Sequence, residues 1–108
     1  MKNFKIIAVD FDGTLCTDAY PAIGMANTAL IDYLKQQQVN GNRIILWTCR
    51  TGRDLEKAVF WCRQKGLIFD AVNENIPGII AAYGGDSRKV TADIYIDDKA
   101  INPKHLIF

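Results

Sequence analysis

Four apolar residues in unbroken succession, Ile6-Ile7-Ala8-Val9, run straight into Asp10-Phe11-Asp12-Gly13-Thr14-Leu15. The run reads as a buried strand, and it delivers two carboxylates at its carboxyl end. Residues two apart on a strand point to the same face, so Asp10 and Asp12 are aimed into one small volume. Two unpaired carboxylates that close repel, and one stays protonated unless a positive charge sits beside them. A divalent cation is the simplest remedy, because hard cations prefer oxygen ligands. Gly13 lets the backbone turn sharply at that point. Asp-Gly is also an ordinary turn dipeptide. That accounts for Asp12-Gly13 but not for a further acid at Asp10, where the strand should still be apolar.

Beyond this point, strand-length apolar runs alternate with segments of helical period. Lys5 to Asp10 is the first strand. Ala26, Leu30, Ile31 and Leu34 lie at helical spacing between about Met25 and Val39, and Gly41 makes a C-terminal stop. Arg43 to Thr48 is a second strand. Thr51 resembles an N-cap, with Asp54 three residues on in the manner of a capping box. Leu55, Ala58, Val59 and Cys62 form the apolar stripe of the helix that follows, which Gly66 ends. Leu67 to Val72 is a weaker third strand. Pro77 opens a short helix through Tyr83, closed by Gly84-Gly85. Asp93 to Asp97 is a fourth strand, and Leu106-Ile107-Phe108 is a last short strand or a core-packing end. Strand, helix, strand, helix with short connections argues for an α/β fold, a parallel sheet flanked by helices. Right-handed crossovers then put every strand's carboxyl end on one edge.

The totals bound the rest. A chain of 108 residues is one domain, 1–108. A net charge of +1 gives no global electrostatic case for nucleic acid or an anionic membrane. The start Met1-Lys2-Asn3-Phe4-Lys5 is not a signal peptide, and no apolar stretch approaches the ~20 residues a membrane span requires. Cys16, Cys49 and Cys62 are odd in number and lack metal-site spacing, which suits a reducing cytoplasm. His105 is the only histidine, so a His-based triad or multi-histidine metal site is excluded by count.

In open α/β sheets, ligands bind beyond the carboxyl ends of the strands. The first strand ends in Asp10 and Asp12, the second in Thr48 and the fourth in Asp97-Asp98, with Lys89 in the loop before the fourth. Clustered like charge destabilises a fold, so a cation and a phosphate group together make the arrangement sensible. Taken singly, each has a plainer reading: Asp97-Asp98 as a polar strand exit, Thr48 as a good strand former, Lys89 as a solvated surface cation. Trp47 and Cys49 read as packing residues. Asp93 starts its strand and, at ~3.3 Å per residue, stands too far from Asp97 to share a site.

Assembled, these residues resemble the haloacid dehalogenase-like phosphatase superfamily. Asp10-Phe11-Asp12-Gly13-Thr14 looks like its first motif, Thr48 its second, Lys89 its third and Asp97-Asp98 its fourth. Dehalogenases of that superfamily lack the second acid of the first motif, so Asp12 points to phosphoryl transfer. Trp47-Thr48-Cys49-Arg50 and Asp86-Ser87-Arg88-Lys89 look similar to small capless bacterial members, some of them associated with polysaccharide biosynthesis. The resemblance implies a three-layer Rossmann-like sheet without a cap domain and a cytoplasmic, magnesium-dependent phosphatase. Asp10 would be the nucleophile, and Asp12 would protonate the leaving oxygen and then activate water. Mg2+ would be held by Asp10, the Asp12 backbone carbonyl and Asp97. Thr48 and nearby N–H groups, with Gly13 and Thr14, would bind phosphoryl oxygens. Lys89 would neutralise Asp10 and the transferring group. Asp98, facing away from Asp97 on an extended strand, would orient Lys89 or a metal-bound water. Lys89 stands only eight positions before Asp97 with no room for the family's intervening helix, so Arg88 or Arg50 is an alternative source of that charge.

Cys16 to Gly24 suffices for a short flap only, and the site is expected to be open. That favours a bulky phosphorylated substrate, small molecule or macromolecule, or a homo-oligomer partner covering the opening. Tyr20, Arg50 and Arg53 are candidate leaving-group contacts. A nucleotide or nucleic-acid-end phosphatase is a second enzyme reading, weakened by the missing basic surface. A phosphoaccepting receiver module is a third, but its phosphoacceptor lies on a middle strand and its acid pair on the first.

Overall fold

The computed structural model describes residues 3–106, so the expectation for Ile107-Phe108 lies outside the described residues. Its elements are β1 (Ile6–Val9), α1 (Thr28–Val39), β2 (Arg43–Leu46), α2 (Gly52–Gln64), β3 (Ala71–Val72), α3 (Pro77–Tyr83), β4 (Ile94–Ile96) and a 3-10 turn, Pro103–His105. All strand pairs are parallel, in the order β3-β2-β1-β4. This is a small Rossmann-like α/β fold without a cap domain. Among the described residues no helix is long and apolar enough to cross a membrane.

The unalternating apolar strands are explained by burial on both faces. Ile7 and Val9 of β1, with Ile44 and Leu46 of β2, pack against Ile31 and Leu34 of α1 and Ala58 and Cys62 of α2. Ile6, Ala8 and Ile45 face the other way, onto Ala71, Ile76 and Val90. Each fully buried Ile or Leu contributes roughly 1.5–3 kcal/mol relative to exposure, so the central pair of strands anchors the sheet. Register then fixes the working edge. Val72, Leu46, Val9 and Ile96 stand level across the four strands.

Several elements are shorter than the sequence suggests, each for a local reason. α1 starts at Thr28 rather than near Met25. The Met25 carbonyl accepts from the Thr17 N–H and Ala26 bridges to Cys16, so these two residues belong to the flap. Asn27 caps the helix, its side chain accepting from the Leu30 N–H. Thr51 is the N-cap of α2, but its side chain makes no capping bond and the capping box with Asp54 does not form. β3 is only two residues long, because at Asp70 a side-chain oxygen takes the Ile44 N–H at 2.7 Å. Pro77, Tyr83 and the left-handed Gly84 bound α3 as the sequence predicts.

Candidate functional site

The residues one step past the level row are Asn73, Trp47, Asp10 and Asp97. Ladder hydrogen bonds carry the chain that far: Asp10 N–H to Ile96, Trp47 N–H to Val9, Asn73 N–H to Leu46, all 2.8–2.9 Å. These four residues, with Thr48, Cys49 and Lys99, line an open cleft of about 350 Å³. Sequence reasoning put Trp47 and Cys49 in the packing. Trp47 does pack on the core, yet both also face the cleft, and Cys49 is exposed. Asn73 and Lys99 were missed. Asn73 carried a signal, since it follows a strand and sits at positive φ (53°), where Asn is tolerated better than most residues. Its side-chain oxygen accepts from the Thr48 N–H at 2.8 Å, setting the loop that holds Thr48. The Thr48 hydroxyl in turn accepts from the Arg50 N–H at 3.1 Å.

One carboxylate oxygen from each of Asp10, Asp97 and Asp98 falls within 4.8 Å of the others. Asp98 differs from the expectation that it faces away. β4 ends at Ile96, and the chain then turns, with the Lys99 N–H donating to Asp97 Oδ1 at 2.9 Å. The adjacent acids therefore converge. Gly13 makes room for this: a Cβ there would lie 2.4 Å from Asp98 Oδ2, and its φ of +82° also favours glycine. The half-buried Asp10 carboxyl is raised above its ordinary range by burial, then by the charges of Asp97, Asp98 and Asp12, against the opposing Phe11 N–H. Thr14 is buried, and its hydroxyl lies 3.5 Å from Asp10 Oδ2, a place behind the carboxylate rather than in the cleft.

The donor set is oxygen only, and its spread is comparable to the ~4–5 Å between opposite oxygens around a magnesium or calcium ion. The residues fit a hard divalent cation. Asp12 does not share its carboxylate with that cluster. Both of its oxygens accept from Arg50, at 2.7 and 2.8 Å.

Arg50 is the clearest correction among the candidate substrate contacts. Its side chain is 1% exposed. Besides Asp12, it donates to the Pro21, Ala22 and Asp54 carbonyls and lies over the rings of Phe11 and Tyr20. Its pKa is raised by the bond to Asp12. Arg50 thus fastens the flap to the first loop and has no donor directed into the cleft. Tyr20, bonded to Asp54, belongs to the same fastening. Lys89 is not brought to the cleft either: its ammonium lies 5.5 Å from the Tyr95 ring centroid, over the outer strand. Arg53 and Arg88 are exposed and also outside the cleft lining.

No protein-family model and no curated protein matches the chain. A solved structure, that of a conserved protein coded by a locus of Bacteroides thetaiotaomicron, is similar to it. The two share 42% identity over 92% of this chain and 79% of the other, with a TM-score of 0.81.

Proposed function

The chain belongs to the family of that conserved Bacteroides thetaiotaomicron protein, and from its site we propose a magnesium-dependent phosphohydrolase of the haloacid dehalogenase-like type. The observation that carries this reading is the convergence of Asp10, Asp97 and Asp98 beside Thr48 at the carboxyl edge of the sheet. Clustered acids without a counter-charge are costly to a fold, and phosphoryl transfer to a carboxylate needs that counter-charge at that place. The carboxylates of Asp10, Asp97 and Asp98, with the Asp12 backbone carbonyl, would hold Mg2+. When bound, the ion shields the anionic nucleophile from the anionic group it must approach.

The chain's own residues supply the rest. An Asp10 oxygen attacks phosphorus in line, the bond to the leaving oxygen breaks with its electron pair, and an aspartyl-phosphate forms. The Thr48 hydroxyl and the Cys49 N–H beside it hold the phosphoryl oxygens. Asp12 takes a proton from the water that attacks the aspartyl-phosphate, returning Asp10 as a carboxylate and releasing inorganic phosphate. As a base it can remain paired with Arg50. As an acid toward the leaving oxygen it has to open one of the two bonds. The uncapped cleft suits a phosphomonoester with a bulky leaving group. The three free thiols, two of them buried, agree with a cytoplasmic setting.

Turnover of an aryl phosphate with and without chelator tests the reading. Magnesium-dependent phosphate release is expected, and Asp10→Asn should remove it by about 10⁴-fold or more, the scale on which loss of a covalent nucleophile is felt. Activity that survives both chelator and Asp10→Asn ends the proposal.

A further inference from the structure

Resting on the phosphohydrolase reading, we propose that Lys99 is the cation that meets the phosphoryl group in this cleft. The part is the one the sequence pattern assigns to Lys89. Each cation near the site is accounted for by its position. Arg50 is buried and spent on Asp12 and three carbonyls. The Lys89 ammonium lies over Tyr95, and its carbonyl accepts from the Ser87 hydroxyl at 2.7 Å. Lys99 alone among the positively charged described residues lines the cleft, together with Asp10, Thr48 and Asp97.

Its placement is built into the turn that makes the acidic cluster. The Lys99 N–H is held by Asp97 Oδ1, so the bend that turns Asp97 and Asp98 toward Asp10 also sets the root of the Lys99 side chain at the cleft wall. Charge balance gives the reason. A divalent ion offsets two of the three carboxylates, and an incoming phosphoryl group adds about two negative charges more. A flexible ammonium that is solvated at rest can swing onto a non-bridging oxygen. Lys99 donates a hydrogen bond there and keeps its proton throughout, so Asp10 and Asp12 still perform every bond change.

The test uses the full chain with magnesium and compares Lys99→Met, Lys99→Arg and Lys89→Met, with Lys104→Met on the 3-10 turn, outside the cleft lining, as the charge-loss control. Inorganic phosphate binding is read by calorimetry, kcat/KM with an aryl phosphate, and magnesium affinity separately. Lys99→Met is expected to weaken phosphate binding about 10- to 100-fold, the equilibrium equivalent of one charged hydrogen bond. Lys99→Arg should recover most of it. Magnesium affinity should hold or tighten, since a like charge is removed from the ion's surroundings, which a merely unfolded variant would not show. Phosphate binding kept in Lys99→Met and lost in Lys89→Met overturns the assignment while leaving the phosphohydrolase reading standing. A wild-type chain that binds magnesium but neither binds nor releases phosphate overturns that reading as well.

Discussion

Asp10 and Asp12 stand two positions apart and meet opposite treatment from the fold. Asp12 is clamped by a buried guanidinium, whereas Asp10 has other acids around it and is answered by the Phe11 amide and the Thr14 hydroxyl. For Asp10 the linkage has a definite sign. Between the unfolded value of 3.8 and its raised folded value, the native state binds the extra proton. Stability therefore falls as pH rises through that window and stays lowered above it. Metal-free Asp10→Asn should accordingly be more stable than the wild type at neutral pH, the two converging in acid below 3.8. Urea midpoints across pH read this directly, and a wild type that outlasts the variant at pH 7 without metal contradicts it. The acids at positions 10 and 97 could be found in the sequence because each ends an apolar run. The burial of Arg50 could not. An isolated Arg after a strand looks like a solvated charge, and only the folded flap, bringing the Pro21 and Ala22 carbonyls to its guanidinium, makes it an interior residue.

Among the elements, those whose limits are set within the chain segment itself were legible, and those limited by distant partners were not. Pro77 and Gly84 bracket α3 through their own backbone preferences. The start of α1 is set instead by residues near position 17, which claim Met25 and Ala26 before the helix can. Thr51 has the right residue type for a cap and lacks the bond; Asn27 has the bond and was not singled out. The two should respond differently to truncation. Asn27→Ala removes the Leu30 cap and the contact from its amide to the Thr14 carbonyl, and is expected to cost about 1–2 kcal/mol. Thr51→Ala should stay within about 0.5 kcal/mol. Chemical denaturation of the two variants decides, and a larger loss for Thr51 contradicts the cap assignment. The convergence of Asp98 escaped the sequence for a related reason. Parity arguments hold only while a strand stays extended, and β4 stops one residue before Asp97.

For the whole molecule, the three converging carboxylates are a local excess of negative charge that folding must tolerate. On the proposed function, magnesium binds the folded chain and not the unfolded one, and its addition should raise the melting temperature. At a concentration one hundred times its dissociation constant the gain is about 2.7 kcal/mol. Asp97→Asn should blunt the shift, and a thermal melt that ignores magnesium altogether would remove the ion from the account. The strand order matters here in a way that concerns biosynthesis. Among the described residues, β1 and β4 are neighbours in the sheet yet the first and last strands in chain order. A ribosome-bound fragment already holding Asp10 therefore lacks both companions of that carboxylate until the chain beyond β4 has emerged as well. A chain that stops short of β4 holds Asp10 without the two carboxylates that converge on it in the folded protein.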